Sequence, residues 1–325
     1  MELEEIQPIE KFTKWFTKNW EFVGLLLLFS LYMFLANFFM WAQTFLDSFV
    51  NFSGGSDPYF NYIIIQYILS NHTTLLHTIG LNYPIGSGNP RNPFFHWMIA
   101  FVAVILGPFL GGSSNAAYYA FMEFDAVFGA LLIIPVYMLG KSILGKKAGM
   151  IGAVLYALMP SNLSSGILSD GRMHTPELIF AFFAIYFLER AVRFSTKERI
   201  IQGSLLDVKS YYGDLKRYIR NNRKATIYAL LAGATYGALQ LSWQGHAYIL
   251  AIVTIYVVIQ LIVNLFLSRN NEYLVYVSFI FVALSFSMSA YYYYAANNAP
   301  SAWFVPPTLH RIGNDINICY YEYSG

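Results

Sequence analysis

Cysteine and charge are both scarce in this chain of 325 residues. Cys319 is its single cysteine, which excludes an internal disulfide framework, and neither a CxxC nor an HExxH pattern of metal ligands is present. Charged residues make up 12% of the sequence, about half the share found in soluble domains. The net charge of +2 is too small to indicate binding to nucleic acid.

Apolar residues are abundant instead, at 57% of the chain. They form repeated runs of about 20 residues, the length that an α-helix needs to cross about 30 Å of hydrocarbon. The first run follows the polar segment 1–21 and is too long for a cleavable signal peptide. We therefore predict an all-α, polytopic bundle of transmembrane helices across residues 22–296. The seven predicted spans are 22–45, 117–140, 148–166, 176–193, 225–243, 246–267 and 273–296.

Basic clusters set the predicted orientation, because short cytoplasmic loops carry an excess of Lys and Arg. The turn with Lys141, Lys146 and Lys147 should be cytoplasmic, as should the segment 190–224, which holds ten of the twenty Lys and Arg. A further apolar stretch, 94–110, would move the first of these clusters outside if it crossed the membrane. We therefore predict that 94–110 is a helix lying at the outer interface.

This orientation assigns each connecting segment to one side of the membrane. Residues 1–21 and the basic loop 194–224 are predicted to be cytoplasmic. The large loop 46–116, a short turn at 166–176 and the tail 297–325 are predicted to lie outside, which makes the extracytoplasmic face the expected place of the active site.

Carboxylates are few on the predicted outer face. Their oxygens are hard ligands that suit Mg²⁺ or Mn²⁺, and such an ion can neutralise a diphosphate leaving group. Glu123 and Asp125 lie inside the second predicted span, where acidic residues are usually functional; the interpretation that we favour is that the span begins later and both face water. The outer acidic residues are Asp47, Asp57, Glu123, Asp125, Asp170, Glu177, Asp315 and Glu322.

Asp57 has two interpretations from its local sequence. It follows the flexible turn Gly54-Gly55-Ser56 and precedes Pro58, which favours an extended backbone at Asp57. Asp before Pro is also a common helix start, here of a helix over 58–70 with Asp57 as its N-cap. The local pattern leaves open both a helix cap and a metal ligand.

The outer turn 169–177 combines two carboxylates with an Arg and a His. Asp170 and His174 are its candidate metal ligands, because imidazole next to a carboxylate is a frequent ligand. Alternatively, the turn is only solvated, with Thr175 as the N-cap and Pro176 at the first position of the following helix. The pattern of residues alone does not decide between these two interpretations.

The segment Gly55-Ser-Asp-Pro-Tyr-Phe-Asn-Tyr62 is followed by further distinctive motifs in a characteristic order. These motifs are Asn82–Gly86, Pro90–Phe95, Phe128–Lys141, Gly149–Pro160 and Leu241–Tyr248. The set resembles the catalytic subunit family of oligosaccharyltransferases over about residues 20–300, with Gly55–Tyr62 similar to the family's first catalytic motif. The likeness is closest to the archaeal dolichyl-phosphooligosaccharide–protein glycotransferases.

The resemblance implies a membrane domain of the GT-C glycosyltransferase type, followed by a soluble domain on the outer face. It also implies transfer of a lipid-linked oligosaccharide, on a dolichyl-phosphate or dolichyl-diphosphate carrier, to the Asn of Asn-x-Ser/Thr in an acceptor polypeptide. Two outer carboxylate motifs would hold Mg²⁺ or Mn²⁺ and the acceptor amide.

Carried onto this sequence, the resemblance assigns roles to three residues, and charge-assisted hydrogen bonding predicts a role for two arginines. Asp57 and Asp170 would be catalytic, and both would hold the metal ion together with His174. Arg91 and Arg172 would contact the phosphates of the lipid carrier. Membrane lipids complete the expected set of partners.

The sequence departs from the family pattern in several places. Ile63 stands where the family commonly has Arg. The second motif, usually Asp-x-Asp, Asp-x-Glu or Asp-His-His, is here Asp170-Gly-Arg-Met-His174, so its register is open among Asp170, Arg172 and His174. The family's later glutamate motif is not recognisable. The sequence stops at Gly325, before the soluble domain, and we therefore expect a fragment or a truncated relative.

Three alternatives remain open. Another GT-C glycosyltransferase would use a lipid-monophosphate sugar and keep an acidic motif in its first outer loop. A truncated paralogue would bind lipid or a partner without catalysis. A secondary transporter is disfavoured, because transporters show inverted repeats with charge at mid-membrane, and the sequence contains no such repeat.

Overall fold

The computed structural model describes residues 2–38, 40–41, 52–78, 86–89, 91–200 and 208–297. Within these residues the secondary structure is helical apart from one antiparallel pair of two-residue strands, which confirms the all-α class. The strands are β1 (His77–Thr78) and β2 (Ser87–Gly88). The helices are α1 (Glu2–Phe38), α2 (Asp57–Asn71), α3 (Pro93–Leu106), α4 (Ser113–Leu144), α5 (Lys146–Leu158), α6 (Pro160–Ser165), α7 (His174–Phe194), α8 (Val208–Asn221), α9 (Arg223–Ser242), α10 (His246–Phe266) and α11 (Glu272–Asn297).

Four helical segments among the described residues are long and apolar enough to cross a membrane, as a multi-pass membrane protein requires. Their outward side chains are apolar as well, since Leu27 in α1 is 64% exposed and Phe266 in α10 is 86% exposed. Such surfaces are stable when hydrocarbon covers them. The four segments are Thr17–Phe38, Ser113–Leu144, His246–Phe266 and Glu272–Ala290.

The other three predicted spans coincide with shorter or more polar helices. The prediction 148–166 falls on α5, which has only 13 residues and ends before Pro160 because the residue before a proline is disfavoured in the helical conformation. The predictions 176–193 and 225–243 fall on α7 and α9. The described residues thus contain helices at all seven positions, but a count of seven spans is not shown.

The apolar stretch 94–110 forms a helix, as predicted. Helix α3 has 14 residues, about 21 Å at 1.5 Å per residue, which is less than the thickness of the hydrocarbon core. It continues as a 3₁₀ turn over Gly107–Phe109. Phe95 and Ile99 are buried against the protein, whereas Phe101 and Phe109 are exposed. Its location at the outer interface remains a prediction.

Contacts divide the chain into two compact units, residues 1–63 with 101–182 and residues 64–100 with 183–325. In the first unit, α1, α4 and α5 pack closely through small residues, as helices in membranes commonly do. A Cβ atom on Gly129 would lie 2.4 Å from the hydroxyl of Tyr32, and one on Gly140 would lie 2.9 Å from the Cα of Gly149. Tyr32 is fully buried and its hydroxyl donates to the carbonyl of Asn162.

The second unit is built around the pair α9 and α11. Gly233 and Gly237 allow α9 to approach α11 closely, since a Cβ on Gly233 would lie 3.0 Å from the carbonyl oxygen of Phe281. The hydroxyl of Ser289 donates to the side-chain oxygen of Gln240 at 3.1 Å, and both residues are buried. A polar pair in this apolar interface fixes the register of the two helices.

One ionic cluster ties the start of the first span to the basic turn between α4 and α5. The carboxylate of Glu21 contacts Nζ of Lys141 at 2.5 Å and also pairs with Lys146, and Tyr137 donates a hydrogen bond to it. The start of the apolar segment Thr17–Phe38 and the basic turn therefore lie at the same end of the bundle, as the predicted orientation requires. Which side of the membrane this is remains a prediction.

Candidate active site

The two turns that carry Asp57 and Asp170 lie against each other. The backbone N–H of Ser53 donates to the carbonyl of Ser169 at 3.0 Å, and the hydroxyl of Ser53 donates to the carbonyl of Leu168 at 3.4 Å. We call residues 52–58 and 168–174 together the two-turn site. All of it belongs to the first compact unit.

Two glycines make this close approach of the turns possible. A Cβ atom on Gly54 would lie 2.0 Å from the carbonyl oxygen of Asp170, which is closer than any side chain can come. Gly171 has a φ of +61°, and a Cβ there would meet the ring of Phe121 at 2.6 Å and Pro58 at 2.9 Å. Only residues without a side chain fit at both positions.

An amide and an aromatic cluster hold the turns in place. Asn61 is completely buried, and its side-chain N–H donates to the carbonyl of Gly171 at 2.8 Å. The ring of Phe52 packs edge-on against those of Tyr59 and Phe121, with centroids 4.8 and 5.1 Å apart, the preferred geometry for aromatic pairs. Asn61 lies within the motif recognised in the sequence, but its role in fixing the second turn was not predicted.

Asp57 is the first residue of α2, and its side chain is exposed. The helix predicted over 58–70 is present, one residue longer at each end. A carboxylate in the first turn complements the positive end of the helix dipole, so Asp57 stabilises the start of α2. Because Asp57 is also exposed beside the Asp170 turn, this role does not exclude contact with a ligand.

Asp170 is buried, with 1% of its surface exposed. Its two carboxylate oxygens accept hydrogen bonds from Nε of Arg172 at 2.9 and 3.1 Å, and Nη2 of Arg172 lies 2.7 Å from one of them. Charge-assisted hydrogen bonds of this kind offset the cost of burying a carboxylate. The guanidinium of Arg172 is therefore the direct partner of Asp170.

The charge of Arg172 is favoured by its surroundings. Its hydrogen bonds with Asp170 raise the pKa of the guanidinium above its ordinary value, partial burial opposes this, and the negative charges of Asp170, Asp125 and Asp57 raise the pKa further. The side chain is 38% exposed. The two-turn site thus presents a permanently charged cation within a group of carboxylates.

His174 begins α7 and is exposed, and it pairs with a neighbour on its own helix. Its Nδ1 lies 3.5 Å from a carboxylate oxygen of Glu177, which is 6% exposed. The hydrogen bond with Glu177 raises the pKa of His174 above its ordinary value. The alternative interpretation with Thr175 as the N-cap is not borne out, because α7 already begins at His174 and the hydroxyl of Thr175 donates to Asp125.

Asp125 does not face water, which corrects the interpretation that we favoured. It is fully buried in α4, and its Oδ1 accepts a hydrogen bond from the hydroxyl of Thr175 at 3.0 Å. Its Oδ2 has no hydrogen-bond partner among the described residues. Glu123, two residues earlier, is half-buried. The apolar sequence around both residues does not reveal which face of α4 turns inward.

A divalent ion at Asp57, Asp170 and His174 does not fit this arrangement. In the part of the chain that the structure describes, no group of three or more His, Cys, Asp or Glu side chains is placed to hold a metal ion. Both oxygens of Asp170 face Arg172, and His174 faces Glu177. The structure brings the predicted residues to one place without forming the predicted ligand set.

The remaining predicted residues lie elsewhere. Arg91 belongs to the second compact unit, where its N–H donates to the side chain of Asn89 at 2.9 Å and its carbonyl accepts from Tyr292 at 3.2 Å. Its contact with a lipid phosphate remains a prediction. Asp47, Asp315 and Glu322 fall outside the described residues.

Comparison with known proteins gives one family match and several relatives. The family described as "Dolichyl-phosphate-mannose-protein mannosyltransferase" matches residues 89–206. Dolichyl-phosphooligosaccharide-protein glycotransferase 3 of Archaeoglobus fulgidus is 27% identical over 238 residues, 71% of this chain and 25% of the relative. Dolichyl-monophosphooligosaccharide–protein glycotransferase AglB of Haloferax volcanii is 23% identical over 233 residues, 70% of this chain and 21% of the relative.

Solved structures of the oligosaccharyltransferase AglB from Archaeoglobus fulgidus have the same fold over this region. The complex with an inhibitory peptide and a dolichol-phosphate has a TM-score of 0.71 at 19% identity and covers 96% of this chain and 35% of that chain. The complex with Zn and sulfate has a TM-score of 0.67 at 20% identity, with 93% and 37% covered. This chain spans about a quarter of the length of the curated relatives that it matches.

Through these matches the chain is similar to a class of membrane-embedded glycosyltransferases, and its helical fold agrees with that of the solved AglB structures. Within that class, the chain is a distant homologue of the archaeal AglB oligosaccharyltransferases and corresponds to their N-terminal membrane region.

Proposed function

We propose that this chain provides the membrane part of an enzyme that transfers a lipid-linked oligosaccharide to Asn in Asn-x-Ser/Thr sequons at the outer membrane face. The observation that carries the proposal is the packing of the Asp57 turn against the Asp170 turn, in a fold shared with AglB. Its partners are the lipid-linked donor, the acceptor polypeptide and the surrounding lipids.

The reaction forms a bond between the acceptor amide nitrogen and the anomeric carbon, and it breaks the bond from that carbon to the phosphate of the carrier. One proton leaves the amide nitrogen. The amide is a weak nucleophile, so a carboxylate beside it aids attack. Asp57 is the exposed carboxylate of the two-turn site; it accepts a hydrogen bond from the acceptor amide and takes up the proton that the amide nitrogen loses. Arg172 receives the departing phosphate through charge-assisted hydrogen bonds, while Asp170 positions its guanidinium.

The resemblance to oligosaccharyltransferases implies Mg²⁺ or Mn²⁺, which would neutralise the leaving phosphate when bound. Asp57, Asp170 and His174 supply the oxygen and imidazole donors that such an ion takes. As the side chains stand, however, Arg172 and Glu177 engage two of these three residues. No step of the proposed reaction therefore runs through a metal ion.

A second candidate donor is a lipid-monophosphate sugar. It is favoured by the match of residues 89–206 to the mannosyltransferase family. It keeps the same site, because Arg172 pairs with a single phosphate as readily as with a diphosphate. Parallel assays with lipid-monophosphate and lipid-diphosphate donors, followed by product analysis, separate the two.

The proposed activity is tested in membranes that contain the protein expressed from its own gene, with a fluorescent peptide bearing Asn-x-Thr and a Gln-x-Thr peptide as the blank. We expect Asp57→Asn to lower transfer about 100-fold or more, since electrostatic contacts to a reacting centre have effects of this size. Glu198→Gln makes the same change at an exposed carboxylate outside the two-turn site and should leave transfer unchanged.

Two results would contradict the proposal at different points. Undiminished transfer by Asp57→Asn would remove Asp57 from the reaction. If the unaltered protein transfers sugar to neither peptide with either class of donor, the proposed activity is wrong. The chain would then be a non-catalytic relative that keeps the fold.

A further inference from the structure

We infer that the guanidinium of Arg172 takes the place of a divalent cation beside Asp57 and Asp170, so that these residues do not form a binding site for Mn²⁺ or Mg²⁺ in this chain. The inference that Arg172 then meets a phosphate rests on the proposed function. The absence of a metal site rests only on the geometry of the two-turn site.

The pairing of Arg172 with Asp170 is built into the backbone. A single residue, Gly171, separates them, and its φ of +61° turns the chain within the tripeptide. Ser169 and Met173 also have positive φ values, of +66° and +73°, a conformation that is uncommon outside glycine. The hydrogen bond from Asn61 to the carbonyl of Gly171 fixes this turn. The contact is therefore part of the fold and not a chance encounter of surface side chains.

The stem of Arg172 is also held in position. The Cγ atom of Arg172 lies against Gly54, where an added Cβ would be 2.8 Å away. At the other end of the side chain, three contacts of 2.7 to 3.1 Å join the guanidinium to the carboxylate of Asp170. A side chain fixed at both its stem and its head loses little further entropy when it meets a ligand.

A metal ion at Asp170 would have to displace or approach this guanidinium. Displacement would break charge-assisted hydrogen bonds to a carboxylate that is 1% exposed, which is strongly unfavourable for a buried charge. Approach without displacement would place a divalent ion beside a permanent positive charge, which Coulomb repulsion opposes. In relatives whose second motif is Asp-x-Asp, the residue at the position of Arg172 is an Asp. That residue would supply a further ligand to the ion instead of a competing positive charge.

Neighbouring donors do not complete a site in the described structure. Nδ1 of His174 pairs with Glu177 at 3.5 Å, and Oδ1 of Asp125 accepts from Thr175. Asp57 is exposed but belongs to no group of three or more metal-binding side chains within the described residues. Because both oxygens of Asp170 are paired with Arg172, the two-turn site offers an ion few carboxylate ligands, and affinity for Mn²⁺ or Mg²⁺ depends on the number and charge of the ligands.

The test measures Mn²⁺ binding to the purified 325-residue chain in lipid nanodiscs, by the loss of the electron paramagnetic resonance signal of free Mn²⁺. We expect no binding that depends on Asp57 or Asp170 in the unaltered chain. Arg172→Asp removes the cation and adds a ligand, so we expect an affinity at least about tenfold higher. Arg172→Gln removes the cation alone and should give a smaller gain.

Arg217→Asp is the matched control. Arg217 pairs with Asp214 at 3.0 Å and its side chain is 38% exposed, the same fraction as Arg172. The substitution makes the same change in charge at another Asp–Arg pair, and we expect no gain in Mn²⁺ affinity. Size-exclusion profiles and thermal unfolding establish that each variant is folded. Should Arg172→Asp fail to fold, the unaltered chain and its Asp57→Asn variant still decide the question.

Mn²⁺ binding by the unaltered chain that disappears in Asp57→Asn or Asp170→Asn would overturn the inference. A folded Arg172→Asp variant with unchanged affinity would also overturn it. Because glycosyl transfer is not measured, neither result bears on the proposed function. In the transfer assay, activity that EDTA abolishes and Mn²⁺ restores would likewise overturn this inference and leave the proposed function intact, whereas activity that EDTA leaves unchanged supports both.

Discussion

The hydroxyl of Thr175 donates to two oxygens of Asp125, the backbone carbonyl at 2.9 Å and the carboxylate Oδ1 at 3.0 Å. Both residues are buried, at 2% and 0% exposure. The contact joins the first turn of α7 to the middle of α4, 50 residues earlier in the chain. It therefore anchors the turn that carries Asp170 and Arg172 to the longest apolar helix of the first unit.

Replacing Thr175 by Val should destabilise this unit. Valine keeps the shape but has no donor, so the buried carboxylate of Asp125 loses a partner, at a cost of about 1–3 kcal/mol. Thermal unfolding in detergent should show a lower midpoint for Thr175→Val and a nearly unchanged one for Thr175→Ser, which retains the hydroxyl. Equal midpoints for Val and Ser would show that the hydrogen bond contributes no net stability.

Gly54→Ala should separate the two turns of the candidate site. The new Cβ would meet the backbone carbonyl of Asp170 at 2.0 Å, and a backbone atom cannot move aside as a flexible side chain does. We expect a loss of about 1–3 kcal/mol of stability, together with weaker transfer activity. Gly213→Ala is the control, since a Cβ at that position in α8 meets nothing within 4 Å. A normal unfolding midpoint for Gly54→Ala would contradict the described contact.

The sequence predicts those features that depend on local pattern. Helix α3 follows from the apolar run 94–110, and the start of α2 follows from Asp57 and Pro58. The sequence also contains a signal for the end of α5, because Pro160 disfavours a helical residue before it. The continuous apolar composition nevertheless favours a single span across Pro160.

Features that depend on distant contacts were not predictable from local pattern. The meeting of the Asp57 and Asp170 turns was anticipated only through the family resemblance, since the two residues are far apart in sequence. The inward orientation of Asp125 towards Thr175 is not indicated by any periodicity in α4, because apolar residues lie on all sides of that helix. Likewise, the pairing of Arg172 with Asp170 depends on the positive φ of Gly171.

Stability should fall in mild acid because of His96. This residue of α3 is fully buried, with Nδ1 3.1 Å from the carbonyl of Asn92, and burial lowers its pKa from 6.5 to about 3. The unfolded chain therefore binds a proton that the folded chain does not. This linkage leaves stability intact above pH 6.5 and reduces it as the pH falls from 6.5 towards 3.

Unfolding midpoints measured between pH 7.5 and about 4 test this pH dependence. Relative to the unaltered chain, His96→Gln should show a flatter profile below pH 6.5, whatever its midpoint at neutral pH. His77→Gln, at an exposed position in β1, should leave the profile unchanged. Parallel profiles for His96→Gln and the unaltered chain would show that another group controls the acid response.

The predicted orientation can be tested by labelling from one side of the membrane. Because Glu21 pairs with Lys141 and Lys146, the start of the first span and the basic turn lie at one end of the bundle, and the predicted active face lies at the other. Lys147 and Ser56 are both exposed and report on the two ends. In a Cys319→Ser background, a membrane-impermeant maleimide added to intact cells should label Ser56→Cys and spare Lys147→Cys. Opening the cells should make Lys147→Cys reactive. Labelling of Lys147→Cys in intact cells would contradict the predicted orientation, and labelling of Lys147→Cys without Ser56→Cys would also remove the two-turn site from the outer face.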